Sequence, residues 1–242
     1  MESKCRVKLL ASTPNALAVI YAAFRQCYHA GFAADMWPKL VSGEISHERQ
    51  AEFVSSFLNS GHQSPVEHVG FTFAVEGVSR ALTHQLVRHR LASYSQQSQR
   101  YVSGAAFDYI MPPSIAAAPE AAERFAALMA EIGQSYQALQ EILAERGLAE
   151  KDSREDVRFV LPQAAATRLV ITMNCRSLLH FFELRLCSRA QWEIRRLAGL
   201  MLKICRHELP AVFGACGPIC ERLGHCPEGP RSCGRRPLAA QE

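Results

Sequence analysis

The sequence predicts an α+β fold in which helices flank a central, mostly antiparallel sheet. Segment 5–11 alternates as a short strand does, and segments 69–75 and 164–173 contain β-branched or aromatic residues typical of strands. Amphipathic or alanine-rich stretches between them predict helices. The 242 residues are enough to bury a sizeable core. We expect one domain over 1–215 and a cysteine-rich tail over 216–242.

In the first third of the chain, turn and capping residues set the helix boundaries. Thr13 and Pro14 predict a helix over 14–28, with Thr13 as N-cap. A second helix is expected over 46–59. Ser64, Pro65 and Glu67 have the spacing of a capping box. After the strand at 69–75, a helix is expected over 79–88.

The rest of the chain is predicted to be mostly helical. A short strand is expected at 107–111, and an alanine- and leucine-rich helix over 118–146 should stop at Gly147. A short helix over 151–160 should end before Leu161-Pro162. The strand at 164–173 should lead into a helix over 174–188, followed by another over 190–208. Residues 231–242 have the composition of a disordered end.

A polar segment at 88–101 is the strongest functional signal. It begins with Arg88-His89-Arg90, continues for seven residues to Ser98, and then reaches Arg100. Arginine offers a planar fork of donors to phosphate, carboxylate or a carbonyl edge, and serine and glutamine orient polar ligands. The segment therefore indicates the rim of a site for an anionic small molecule, although a solvated charged surface has a similar composition.

The helix expected over 79–88 would bring polar side chains to the same place. Gln85, Arg88 and His89 would share one face at spacings of three and four. Arg80, His84 and Arg88 would form a row of potential cations. Because like charges in a row repel each other, this row is a further hint of a bound phosphate.

The Arg-His-Arg, seven residues, Ser pattern resembles the signature of the flavin-dependent thymidylate synthases. Segments 62–68 and 174–194 resemble the same family, and the resemblance covers most of residues 62–100 and 158–194. It implies methylation of dUMP to dTMP with FAD as cofactor and with NADPH and methylenetetrahydrofolate as co-substrates. It also implies a homotetramer with sites built between subunits.

The resemblance assigns roles to individual residues. Arg185 would be catalytic, as the guanidinium that stabilises negative charge on the pyrimidine when N3 is deprotonated. The residues expected to bind dUMP are Gln85, Arg88, Gln96, Gln97, Ser98, Gln99, Arg100, Arg158 and Arg185. The residues expected to hold FAD are Ser64, Arg88, His89, Arg90, Gln96, Asn174, Cys175, Arg176 and His180.

Two of these assignments raise chemical questions. Ser98 stands where a nucleophile could be sought, but a hydroxyl is far less nucleophilic than a thiolate, so we expect Ser98 to orient the substrate. His180 occupies a position where the family often has asparagine, and its charge could change near neutral pH. A histidine packed at an interface is the alternative for that position.

The helix over 174–188 has two polar faces. At about 100° per residue, Asn174 and Arg185 fall on one face, and Arg176 and His180 fall on another. A helix between two sites of an oligomer could use both faces, which supports the homotetramer.

Composition limits the other function classes. The net charge of +4 is small for a dedicated nucleic-acid binder, although Arg80, Arg88, Arg90 and Arg100 keep that alternative open. A structural or regulatory oligomer that has lost turnover is the other alternative. We find neither a signal peptide nor an apolar run of the roughly 18 residues that span a bilayer, so we expect a cytoplasmic protein without membrane contact.

The tail and the 62–68 segment each contain potential metal ligands. Cys216, Cys220, Cys226 and Cys233 could hold zinc, but the tail lacks paired Cys-x2-Cys knuckles. Two histidines near a turn do not make a metal site. We therefore expect no metal and ordinary or redox-labile cysteines, since disulfides are disfavoured in the cytoplasm.

Overall fold

A computed structural model describes residues 4–239. Its four strands form one antiparallel sheet in the order β1-β2-β4-β3. The strands are β1 (Arg6–Ser12), β2 (Gly70–Ser79), β3 (Ala92–Gln96) and β4 (Ala166–Asn174). The predicted α+β class with an antiparallel sheet is confirmed, and three of the four strands lie where the sequence predicts them. β3, inside the 88–101 segment, is not predicted.

Helices make up most of the remaining structure. They are α1 (Ala16–Tyr28), α2 (Ala33–Val41), α3 (His47–Asn59), α4 (Arg80–Leu86), α5 (Pro113–Ala116), α6 (Pro119–Glu145), α7 (Glu150–Val157), α8 (Cys175–Arg185), α9 (Trp192–Glu208), α10 (Pro210–Phe213) and α11 (Ile219–Leu223). Short 3-10 helices span Ser64–His68, Arg158–Val160 and Gly229–Arg231. Within residues 4–239, none of the helices combines the length and apolarity needed to cross a membrane.

The chain divides into two compact units, and boundaries between them along the sequence fall inside all four strands. Unit 1 comprises Met1–Arg6, Ala74–Arg88 and Tyr94–Val170, and unit 2 comprises Val7–Phe73, His89–Ser93 and Ile171–Glu242. The tail at 216–242 belongs to unit 2, and the separate tail domain remains a prediction.

Alternation along β2 and β4 gives the sheet a buried face. Phe71 and Phe73 are buried in β2, and Leu169 and Ile171 are buried in β4, while their neighbours along the strands are more exposed. In unit 2, Phe213 of α10 packs edge-on against Phe71 with ring centroids 5.8 Å apart. Burying each such side chain contributes on the order of 2 kcal/mol, so this face anchors the helices of unit 2.

The start of α1 differs from the prediction. Thr13 does not cap the helix, because its hydroxyl accepts a hydrogen bond from the Gly70 N–H at 3.0 Å and its own N–H donates to the Gly70 carbonyl at 3.1 Å. The N-cap is Asn15, in the left-handed region with φ of 51°. The long-range pairing of Thr13 with the start of β2 therefore overrides the local capping signal.

The capping box predicted at 64–67 is also wrong. Ser64 begins a 3-10 helix whose N-cap, Gln63, makes no side-chain capping bond. The Ser64 hydroxyl lies 3.1 Å from Nε2 of His62. The serine is thus held by a neighbouring histidine, so its hydroxyl does not cap the helix.

Other helix boundaries are confirmed. Ser46 caps α3, accepting from the Arg49 N–H at 3.3 Å. Gly147 follows α6 with φ of 83°, a conformation that suits glycine at a helix end. The short strand expected at 107–111 is reduced to a single antiparallel bridge between Tyr109 and Ala165.

The predicted disordered end is corrected for residues 231–239. The Cys226 N–H donates to the Pro237 carbonyl at 2.7 Å, and Cys226 forms a parallel bridge with Leu238. These contacts give the last described residues a defined path. The remainder of that prediction, residues 240–242, lies outside the described residues.

Candidate functional site

The predicted site residues fall into two groups according to unit. The residues expected to bind dUMP belong to unit 1, apart from Arg185. The residues expected to hold FAD belong to unit 2, apart from Arg88 and Gln96. Apart from these three residues, each group lies within one unit.

The 88–101 segment begins just beyond the end of α4. Helix α4 ends at Leu86, and the Arg88 N–H donates to the Gln85 carbonyl at 3.3 Å, a three-residue spacing typical of a closing helix turn. Arg88 and His89 therefore lie beyond the helix. The prediction that Gln85, Arg88 and His89 share a helix face is therefore wrong. Of the predicted row, Arg80 and His84 lie on α4, and Arg88 lies beyond its end.

A cavity of about 230 Å³ in unit 1 is lined by the second half of this segment. Gln97, Ser98 and Gln99 lie along it. Sequence reasoning missed the titratable side chains that line the same cavity, because each stands alone in a strand or loop: Glu76, Asp108 and Arg168. The lining of the cavity therefore contains hydrogen-bond donors and acceptors together with positive and negative charges.

Hydrogen bonds within unit 1 fix the polar side chains around the cavity. Nε2 of Gln96 lies 3.3 Å from the Thr167 hydroxyl and 3.4 Å from the Thr83 hydroxyl. The Gln97 N–H donates to the Arg168 carbonyl at 2.9 Å, and the Ser98 hydroxyl accepts from the Arg100 N–H at 3.1 Å. Because Ser98 is engaged with the backbone, its placement fits an orienting role.

Three arginines of unit 1 are linked to one another through Glu155 or through their charges. Arg100 forms an ion pair with Glu155 at 2.6 Å, and Nε of Arg158 donates to the Glu155 carbonyl at 3.0 Å. Burial first, and then the positive charge of Arg158, lower the pKa of Arg80. Two guanidiniums that repel each other are stabilised by an anion between them, which is the electrostatic setting a phosphate requires.

In unit 2, Arg185 is held by His89. Nε of Arg185 donates to Nε2 of His89 at 3.0 Å, across 96 residues of sequence. Nε2 must therefore be unprotonated. Burial first, then the charges of Arg185 and His180, lower the pKa of His89 to about 4. His89 is neutral near pH 7 and acts as a fixed acceptor for the guanidinium.

Aromatic packing holds His89 in place. The buried ring of Phe181 meets it edge-on, with centroids 4.9 Å apart and planes at 84°. The ring of His180 lies 6.2 Å from that of His89, and His180 is exposed. The His180 position is therefore open to a ligand or to a neighbouring subunit.

The residues at the start of α8 differ in burial and in hydrogen bonding. The Asn174 side chain accepts from the Ser177 N–H at 2.8 Å and caps the helix. Arg176 is exposed. Cys175 is fully buried, and burial raises the pKa of its thiol. The thiol of Cys175 therefore lies in the core, and the assignment of this residue to FAD binding stays a prediction.

Ser64 lies in a hydrogen-bonded chain of three side chains. Its hydroxyl lies 3.1 Å from Nε2 of His62, and Nδ1 of His62 lies 2.8 Å from the Tyr28 hydroxyl. The sequence includes His62 in the 62–68 motif but gives no sign of Tyr28, which is 34 residues away. These hydrogen bonds fix the direction of the Ser64 hydroxyl.

Acid should weaken the contact between His89 and Arg185. The pKa of His89 in the folded protein, about 4, lies below its ordinary value of 6.5. The unfolded chain therefore binds a proton first, and stability is lost as pH falls from 6.5 towards 4. His89→Gln keeps a neutral acceptor and removes the titration.

Urea unfolding at a series of pH values measures this effect. We expect the free energy of unfolding of His89→Gln to fall less steeply than that of the wild type over this window, with other acid-sensitive groups common to both proteins. Identical slopes would show that His89 does not titrate as its surroundings require.

Comparison with known proteins places the chain in a family. The sequence model described as "Thymidylate synthase complementing protein" matches residues 8–211. A flavin-dependent thymidylate synthase of Nitratidesulfovibrio vulgaris is 62% identical over 96% of each chain. Proteins of the same name from Clostridium tetani and Geobacter sulfurreducens are 44% and 43% identical, over 95% of this chain in both cases and 93% and 94% of theirs. The chain belongs to the flavin-dependent thymidylate synthase family.

Proposed function

We propose that this chain methylates dUMP to dTMP, with methylenetetrahydrofolate as one-carbon donor and NADPH as the source of electrons, and that the residues described above carry the reaction. The chain is an FAD-dependent thymidylate synthase of dTMP biosynthesis. One observation carries this conclusion: the family match spans residues 8–211, which include both the unit 1 cavity and the His89–Arg185 contact.

The described side chains fit an FAD molecule. Its diphosphate needs cations, and Arg88, Arg90 and Arg176 are exposed and make no ion pair within residues 4–239. Polar groups on Ser64, His89, Gln96, Asn174 and His180 would complete the binding set. When bound, FAD supplies the hydride that reduces the transferred carbon.

We assign the nucleotide to the arginines and amides of unit 1, together with Arg185. Arg88, Arg100 and Arg158 would bind the phosphate and sugar, and the mutual repulsion of Arg80 and Arg158 supports an anion there. The side chains that would orient the base and sugar are Gln85, Gln96, Gln97, Ser98 and Gln99. They offer neutral donors and acceptors, which suit a uracil ring.

Arg185 would activate the base. Its Nε is committed to His89, which leaves the two terminal guanidinium nitrogens for a ligand. Placed at N3 and the neighbouring carbonyl, they would stabilise negative charge as N3 loses its proton and electron density moves towards C5. A neutral histidine suits this task, because it orients the guanidinium without neutralising it.

Two buried thiols of unit 2 support a route without a cysteine nucleophile. Burial raises the pKa of Cys175 and of Cys205. A buried, protonated thiol is a poor nucleophile. Ser98 is engaged by the Arg100 N–H, so the proposal uses it to orient the substrate.

A cytoplasmic homotetramer is part of the proposal. Leu91 and Phe159 are 79% and 82% exposed, and they stand beside Arg90 and Arg158 in the sequence. Large apolar side chains next to binding residues support coverage by another subunit. Light scattering on the purified protein should give four times the mass of one chain, and the mass of a monomer would contradict the assembly.

The visible spectrum of the purified protein tests the function. We expect a flavin spectrum, or uptake of added FAD, that bleaches with NADPH in the absence of oxygen and bleaches faster when dUMP is present. Arg176→Ala should weaken FAD binding by tenfold or more, about the loss expected from one charge-assisted contact. A colourless protein that takes up no FAD, and binds oligonucleotides with steep salt dependence, would point to a nucleic-acid binder.

A further inference from the structure

Four cysteines line one small cavity of about 10 Å³ in unit 2. Cys187 lies two residues beyond the end of α8, and Cys220, Cys226 and Cys233 come from the tail. Two segments that are distant in sequence thus bring their thiols to one place. The proposed reaction uses none of them.

The tail is held against the end of α8 by contacts other than the thiols. Arg189 forms an ion pair with Glu228, and Arg222 forms one with Glu183. The bridge between Cys226 and Leu238 fixes the path of the chain on either side of Cys233. The position of Cys233 is therefore set by the fold.

The four thiols differ in access and in chemistry. Cys233 is exposed, Cys187 is half-buried, and Cys220 and Cys226 are buried. A hydrogen bond with the Ser188 side chain first, then a backbone hydrogen bond with Arg235, lower the pKa of Cys233. The cavity is also lined by Arg189, Arg231 and Arg235, whose positive charges favour a thiolate.

The arrangement differs from a preformed metal site. Across residues 4–239, no three His, Cys, Asp or Glu side chains are grouped so that they could hold a metal ion. The nine cysteines, all of them within residues 4–239, form no disulfide. The bond with Ser188 brings the Cys233 side chain to the residue next to Cys187, which makes Cys187 its natural partner.

We propose that Cys233 and Cys187 form a reversible disulfide when hydrogen peroxide is present. The Cys233 thiolate attacks a peroxide oxygen, forming a sulfenic acid and releasing hydroxide, which becomes water. The Cys187 thiol then attacks the sulfur of the sulfenic acid, the S–O bond breaks, and the second oxygen leaves as water. Two thiols are oxidised, one peroxide is reduced to two waters, and a dithiol reductant reverses the change.

This disulfide would close a loop over residues 187–233 and tie the tail to the segment that follows Arg185. In the reduced protein, the tail is held there by noncovalent contacts, among them the ion pairs of Arg189 and Arg222. The modification would thus make the tail a covalent part of the α8 terminus under oxidising conditions.

Alkylation by iodoacetamide tests the reactivity of Cys233. We expect the reduced, full-length protein to be labelled at Cys233 at least about threefold faster than at Cys27, another exposed cysteine, because a more acidic thiol has more thiolate at neutral pH. Equal or slower labelling of Cys233 would overturn the proposal.

Peptide mapping after treatment with hydrogen peroxide tests the bond itself. We expect a peptide pair joined through Cys187 and Cys233, released by dithiothreitol, and absent in Cys187→Ser and Cys233→Ser but present in Cys27→Ser. A bond to Cys220 or Cys226, or over-oxidation of Cys233 without any bond, would overturn the assignment. Stoichiometric zinc in the isolated protein, with thiols that react only after a chelator is added, would show a metal site in place of the disulfide.

Discussion

Replacing Arg185 with alanine lowers kcat about 10²- to 10³-fold, which is the usual loss when a preorganised donor to developing negative charge is removed. The reason is specific to the contact with His89. Nε is held at 3.0 Å by an acceptor that is neutral near pH 7, so the guanidinium keeps both its charge and its direction. Steady-state formation of dTMP with saturating substrates measures the effect.

Two further variants separate charge from geometry at this position. Arg185→Lys keeps a positive charge but loses the planar fork and Nε, so we expect activity between that of the wild type and that of Arg185→Ala. Arg196→Ala removes an exposed arginine from α9 and should retain wild-type kcat. If Arg185→Ala binds dUMP and FAD and still turns over at the wild-type rate, the role given to Arg185 is wrong.

Truncation of Phe181 to alanine lowers the free energy of unfolding by about 3–5 kcal/mol. Phe181 is fully buried, its ring packs edge-on against His89, and it contacts Phe182 with centroids 5.7 Å apart. The lost ring leaves a cavity beneath the His89 side chain. Chemical denaturation measures the change, and dUMP affinity should fall as well because His89 loses its support.

Phe32→Ala is the matched control for this substitution. Phe32 is 69% exposed, so its removal should change stability by no more than about 0.5 kcal/mol. Phe181→Leu keeps most of the apolar volume and should cost less than the alanine variant. A loss for Phe181→Ala no larger than that for Phe32→Ala would contradict the packing described here.

Local sequence signals predict elements where local interactions decide the structure. Ser46 caps α3 because its hydroxyl reaches the Arg49 N–H only three residues away, and Gly147 ends α6 through its own backbone freedom. The same reasoning fails where distant partners compete. Thr13 pairs with Gly70, 57 residues away, and so cannot cap α1. The end of α4 at Leu86 and the strand β3 likewise depend on neighbours that the local pattern does not contain.

In the candidate site, too, some features can be predicted from local sequence and others depend on distant partners. The Arg-His-Arg segment and the position of Arg185 are recognisable in the sequence, because their residue types match a family pattern. The hydrogen bond between Arg185 and His89 cannot be recognised in the sequence, because 96 residues separate the two and only folding brings them together. Glu76, Asp108 and Arg168 belong to no motif, yet the fold places all three on one cavity.

Formation of dTMP by the purified protein, with each component omitted in turn, is the most direct test of the function. We expect dTMP only when dUMP, methylenetetrahydrofolate, NADPH and FAD are all present, and we expect tetrahydrofolate as the folate product because the reduced flavin provides the hydride. Formation of dTMP at an undiminished rate by protein stripped of FAD, or none with the complete mixture, would contradict it.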